Sequence, residues 1–184
     1  MNEIKKTPYI WLISGCSSGF GREIALQALS EGDFVGVSSR NLKDVEDICK
    51  EYPKTALPIK LDVTNKDEIK ESIQTINKVY GGLDVLVNNA GYGYLAAIEE
   101  GENEEVRKLF ETNFFGALEL TKAALPGMRA QRFGRIINNS SQAGIMANPG
   151  TGYYSSSKYA LEGLMEALDK ELRPLNISVT SVQP

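Results

Sequence analysis

There is no histidine among the 184 residues, a single tryptophan and only two cysteines. The first absence excludes every catalytic triad that relies on an imidazole base. With Cys16 and Cys49 as the only soft ligands left, it also excludes most zinc sites, and no metal is expected. Two cysteines without a paired spacing read as reduced thiols rather than a disulfide framework, which points to the cytoplasm. Long apolar runs are missing as well. The stretch after Lys5 and Lys6, residues 9–13, is shorter than the apolar core of a signal peptide and far short of a membrane span. Basic runs never exceed two residues and the net charge is −4, so no phosphate-binding face for nucleic acid is expected. The partner class that remains is a small molecule, with neither nucleic acid nor membrane.

What is present is ordinary globular material, 42% apolar and 24% charged with the signs mixed. A chain of this length buries roughly 70% of its unfolded surface in one core, and no linker or internal repeat divides residues 1–184. Short apolar runs alternate with longer helical patterns, the mark of repeated βαβ units. Strands are predicted over residues 9–14, 34–38, 57–61, 85–88, 135–139 and 177–182. The first helix is predicted over 19–30, stopping at Gly32, and the second from Asn41 as N-cap to just before Pro53. The third starts at Asn65 with Glu68 completing a capping box and ends before Gly81. The last two cover 103–128 and 153–173, the latter ended by Pro174. Gly116 and Pro126 predict an irregular middle in the 103–128 helix and a kink or early end at the proline. The fold class is α/β: a single-domain, doubly wound, mostly parallel sheet of six strands flanked by helices, a Rossmann fold.

Ser14-Gly15-Cys16-Ser17-Ser18-Gly19-Phe20-Gly21 lies between the first strand and the first helix. Glycines there permit a tight turn and close approach to a pyrophosphate, and the helix start attracts its charge. A plain loop cluster is the alternative, and the strand-to-helix context argues against it. Roughly twenty residues on, where an NAD site would present an acidic side chain to the ribose, the chain has Ser39-Arg40. A guanidinium binds a 2′-phosphate that a carboxylate would repel, so NADP(H) is favoured over NAD(H); a solvated loop cation is the bland reading of Arg40. Asp62, beside Val63, could accept from an adenine amino group. Asn88-Asn89-Ala90-Gly91 can tie adjacent strands or touch a cofactor, and Asn89, Ala90 and Gly91 are assigned to the cofactor side.

Tyr154 and Lys158, four residues apart on a helix, share one face. That spacing alone also suits a packed amphipathic tyrosine. Ser141 follows the fifth strand, at the sheet edge where open α/β folds bind ligands. A free tyrosine titrates near 10, so proton transfer near neutrality needs about 4 kcal/mol of phenolate stabilisation, much of which an adjacent ammonium supplies. Ser141 could orient a substrate oxygen by hydrogen bonding.

In this order, the Gly-x3-Gly-x-Gly loop after Ser14, the Asn-Asn-Ala-Gly element, Asn113, Ser141 and Tyr154-x-x-x-Lys158 resemble the short-chain dehydrogenase/reductase family over essentially the whole chain. The resemblance implies a catalytic tetrad of Asn113, Ser141, Tyr154 and Lys158. Ser141 and Tyr154 would also meet substrate, and Tyr154 and Lys158 the cofactor. It implies cofactor contacts from Gly15, Ser17, Ser18, Gly19, Phe20, Gly21, Arg40, Asp62, Val63, Asn89, Ala90 and Gly91. It further implies an irregular turn at Asn113-Phe114-Phe115-Gly116 whose freed carbonyl holds a water against Lys158. The segments 15–19 and 89–93 look like the branch with hydroxysteroid- and retinol-type dehydrogenases. Relatives continue beyond Pro184 into a substrate-covering segment and a seventh strand, so the chain is expected to be cut short after the sixth strand, binding NADP(H) weakly and turning over little. The implied activity is hydride transfer between NADP(H) and a carbonyl compound or a primary or secondary alcohol. The alternatives are a dinucleotide-binding sensor without turnover, and an impaired protein acting by association. Helices 103–128 and 153–173 are the faces expected in a homo-oligomer.

Overall fold

A computed structural model describes residues 8–184, so the Lys5-Lys6 pair lies outside the described residues. Six strands, β1 (Ile10–Ile13), β2 (Phe34–Ser39), β3 (Ala56–Lys60), β4 (Val85–Asn88), β5 (Gly134–Asn139) and β6 (Ile177–Val182), form one sheet. Its order is β3-β2-β1-β4-β5-β6 and every neighbouring pair is parallel. This is the doubly wound Rossmann arrangement.

The strands read as unbroken apolar runs because successive residues feed two different cores. Leu12, Leu86 and Ile136 pack with Ile76, Leu120 and Met128 on one face. Ile13, Val35, Val85 and Val87 pack with Ala25, Leu29 and Ile48 on the other. The second core is thus roofed by α1 (Gly19–Ser30) and α2 (Glu46–Glu51). The first is roofed by α3 (Lys66–Tyr80), α5 (Ala117–Gln131) and the end of α6 (Gly152–Leu172). The connections diverge after β1 and β4, which opens a crevice at the carboxyl ends of these two strands.

The irregular middle expected of the 103–128 helix is present as a π-helical segment, Glu111–Gly116, between α4 (Asn103–Phe110) and α5, while three other local expectations are corrected. Gly116 packs there against Val63, whose Cγ2 would lie 2.7 Å from a Cβ. Pro126 does not end the helix. α5 runs on to Gln131 because Leu120, Ala124 and Met128 are held in the core, offsetting the hydrogen bond that proline removes. The capping box at Asn65 is one-sided: Asn65 accepts from the N–H groups of Asp67 and Glu68, but Glu68 turns away to Lys60 Nζ at 2.7 Å and Asp62 N at 2.7 Å. An ammonium is a stronger partner than a capping amide. Finally, Asn41 caps a 3-10 turn, Leu42–Val45, before α2 begins.

Candidate active site

A cavity of about 470 Å³ opens at the carboxyl ends of the strands. The glycine-rich loop supplies Gly15, Ser17, Ser18, Gly19 and Phe20 to its wall. Ser39 and Arg40 come from the end of β2, Asp62 and Val63 from beyond β3, and Asn89, Ala90 and Gly91 from beyond β4. The structure therefore gathers the sequence-predicted residues of these four segments into one space, with Gly21 packed just behind it.

The loop reaches this position through main-chain contacts that leave no room for side chains. Gly15 has φ +72°, and a Cβ on Gly21 would lie 2.3 Å from both the Gly15 carbonyl oxygen and Asn89 Nδ2. Ser14 Oγ accepts from the N–H groups of Asn89 and Ala90, and Asn89 Nδ2 donates to the carbonyls of Ser14 and Gly15. Asn139 Nδ2 closes the arrangement on Asn89 Oδ1 at 2.9 Å. Asn89 thus lines the cavity while its carboxamide is spent on joining β1, β4 and β5. Asn88 has a structural part too, donating to Thr121 and Asn138. Cys16, in the same loop, is fully buried and its thiol is pushed up to about 12 by that burial, so it is no nucleophile.

These features fit a dinucleotide. Asn41 and Asn65 cap their helices with side chains, whereas Ser18 at the start of α1 offers no side-chain cap. The first amides of α1 are left for an anion. Arg40 is exposed and, among the described residues, its guanidinium has no hydrogen-bond or ion-pair partner. Asp62 is partly engaged: its Oδ1 accepts from Thr64 N and Oγ1, leaving the second oxygen.

Three of the four remaining residues, Asn113, Tyr154 and Lys158, are gathered beside this cavity, and Ser141 lies in the turn that follows β5. Lys158 is 5% exposed and donates from Nζ to the Asn139 carbonyl at 2.7 Å, and Asn139 also lines the cavity. Burial lowers the Lys158 ammonium to about 8, while Glu162 pulls the other way. Its Nζ stands 5.8 Å from the centre of the Tyr154 ring. Asn113, in the π-segment, accepts from Tyr92 N and donates to Tyr92 O and Ser157 Oγ. A Cβ on Gly91 would meet Asn113 Oδ1 at 3.1 Å and Lys158 Nζ at 3.7 Å, so these two side chains and the cavity wall converge there. Ser141 is half-buried and accepts from Ala143 N, while its neighbour Ser140 is buried against Gly144.

Tyr153 separates cleanly from Tyr154. Its hydroxyl donates to the Ile98 carbonyl at 2.5 Å, and its ring covers Gly101 and lies 6.0 Å from that of Tyr94. Sequence reasoning missed Leu61, Tyr92, Thr112 and Asn139 as cavity-lining residues. Thr112 and Tyr92 adjoin motif positions and could have been included on that ground. The Asn139 carbonyl as the seat of Lys158 has no sequence signal, because it is a backbone group.

A family model described as short chain dehydrogenase matches residues 9–184. The 3-ketodihydrosphingosine reductase of Bacteroides thetaiotaomicron is 44% identical over 177 residues, covering 96% of this chain and 63% of that protein. The NADPH-dependent 3-dehydrocapnine reductase of Ornithobacterium rhinotracheale is 35% identical over 179 residues, covering 94% and 63%. The crystal structure of a short-chain dehydrogenase from Streptomyces avermitilis superposes with a TM-score of 0.94 at 41% identity, covering 98% of this chain and 66% of that one. The chain thus spans just under two thirds of the length of these proteins. With the match running from Tyr9 to Pro184 and relatives well above 30% identity along it, the chain belongs to the short-chain dehydrogenase/reductase family.

Proposed function

We propose that residues 1–184 form an NADP(H)-binding oxidoreductase domain that interconverts a small-molecule carbonyl compound and its alcohol. The observation that carries this reading is the junction at Asn139, which lines the cavity and anchors Lys158 beside Tyr154. One group thereby couples the coenzyme side to the proton-transfer side. The NADPH dependence of the Ornithobacterium relative and the keto substrate named for the Bacteroides one support the coenzyme and the reaction class.

The glycine loop and the uncapped start of α1 would hold the pyrophosphate, and Arg40 would neutralise a ribose 2′-phosphate. Bound there, the nicotinamide coenzyme supplies hydride to the carbonyl carbon in reduction or takes it from the alcohol carbon in oxidation. Ser141 already accepts from Ala143 N, so its own proton is left to donate to the substrate oxygen. In reduction Tyr154 gives its phenolic proton to that oxygen, completing the alcohol, and the phenolate is reprotonated from solvent. Lys158 supplies positive charge next to the phenolate, and Asn139 fixes where that charge sits. Asn113 acts at one remove, by tying Tyr92 to α6 through Ser157.

The test is a fluorescence titration with NADPH and NADH followed by a panel of aliphatic and aromatic ketones, monitored by NADPH oxidation. Saturable NADPH binding with ketone-dependent oxidation is expected. Binding without turnover in the longest natural form of the protein would favour a sensor, and absence of binding would overturn the reading.

A further inference from the structure

We infer that Asp44 is a specificity-determining residue that weakens NADPH relative to NADH, so that the coenzyme preference set by Arg40 is moderated within the same turn of chain. This rests on the proposed 2′-phosphate role of Arg40. Ser39 and Arg40 form the cavity wall at the end of β2. Ser39 is 5% exposed, and its hydroxyl has only one proton, which it donates to Asp44 Oδ2 at 3.1 Å. Its oxygen accepts from Asn41 N at 3.3 Å. The hydroxyl beside Arg40 is therefore committed to a carboxylate and presents no free donor to a phosphate.

A 2′-phosphate held against Ser39 and Arg40 would have to draw the hydroxyl away from Asp44 or go without it. In either case it would lie near an uncompensated carboxylate, for among the described residues Asp44 has no ion-pair partner. Asp44 is exposed, so the repulsion acts through water. A doubly charged phosphate near that carboxylate would feel a penalty of roughly three- to tenfold in affinity at low salt, shrinking as added salt screens it. The uncharged 2′-hydroxyl of NADH feels no such repulsion.

The experiment measures Kd for NADPH and NADH, at low and at physiological salt, for the parent chain, Asp44→Asn, Asp44→Lys and Arg40→Ala. Asp44→Asn keeps an oxygen that can accept from Ser39 and removes only the charge. It should tighten NADPH roughly three- to tenfold at low salt and less at higher salt, leaving NADH within a factor of about two. Asp44→Lys should exceed it. Unchanged NADPH affinity in both Asp44 variants, or an equal gain for NADH, overturns the inference while leaving the Arg40 reading intact. If Arg40→Ala does not weaken NADPH, the 2′-phosphate reading itself falls and takes this inference with it.

Discussion

The two ends of the crevice are built differently. On the β1–β3 side, the glycine loop and the strand ends are locked by backbone contacts, such as Cys16 N to Ser38 O at 2.7 Å and Ser14 N to Val87 O at 3.0 Å. Beside Tyr154 and Ser141 the chain runs in loops that expose large apolar side chains, with Leu95 at 70%, Ile98 at 64% and Ile145 at 59%. These loops are nonetheless fastened to each other, through Ala96 N to Gly150 O at 3.0 Å and Tyr153 Oη to Ile98 O. The glycine-loop side, proposed to hold the coenzyme, is therefore preorganised by main chain, whereas the other side offers an apolar surface shaped by a few side chains. Substitutions should then separate coenzyme binding from chemistry.

The largest effect is expected at Tyr154. In a form of the protein that reduces carbonyls, Tyr154→Phe keeps the ring and removes the proton, and should cost about 100- to 10,000-fold in turnover with NADPH affinity changed no more than a few-fold. Near-parental turnover would refute the assignment of Tyr154 as acid–base group.

Lys158 tests the junction between the two sides through pH. Its folded value is depressed by burial from 10.5 to about 8, so the penalty for burying its charge is present at neutral pH and relieved above 10.5. At 1.36 kcal/mol per pKa unit, its contribution to stability should rise by about 3 kcal/mol between pH 8 and 10.5 and be lost again as pH falls through 8. Comparing unfolding free energies of the parent and Lys158→Met over this range isolates the effect. A difference that does not vary with pH would mean that Lys158 is hydrated in solution.

On the coenzyme side, Gly21→Ala puts a Cβ into the Gly15 carbonyl and should cost about 1–3 kcal/mol of stability together with NADPH affinity. Gly93→Ala, which meets nothing within 4 Å, should change stability by no more than about 0.5 kcal/mol and leave coenzyme affinity unchanged. Equal effects in thermal melts and titrations would erase the contrast between the two regions. A comparably modest effect is expected of Tyr153→Phe. Loss of one hydrogen bond to Ile98 O should lower stability by about 1 kcal/mol and leave coenzyme affinity intact, and a weakened NADPH would show that the loops are coupled to the cavity.

Alternating apolar runs and helical patterns sufficed to determine six parallel strands, because a sheet covered on both faces must be apolar at consecutive positions, as Leu12 and Ile13 are in opposite cores. Motif spacing likewise put Gly15–Gly21, Asn89–Gly91 and Tyr154-x-x-x-Lys158 at strand and helix ends, since turns and caps are local events. What the sequence left open depends on which of several competing partners the packed fold brings within reach. Whereas the irregularity at Asn113–Gly116 was signalled by Gly116, the passage of α5 through Pro126 is one such feature, where core packing prevails over a local breaker. Glu68 turning to Lys60 is another. The seat of Lys158 on the Asn139 carbonyl and the tether of Ser39 to Asp44 were decided by tertiary structure alone. A backbone oxygen has no letter in the sequence, and a hydroxyl chooses its acceptor only after the fold has set which one is near.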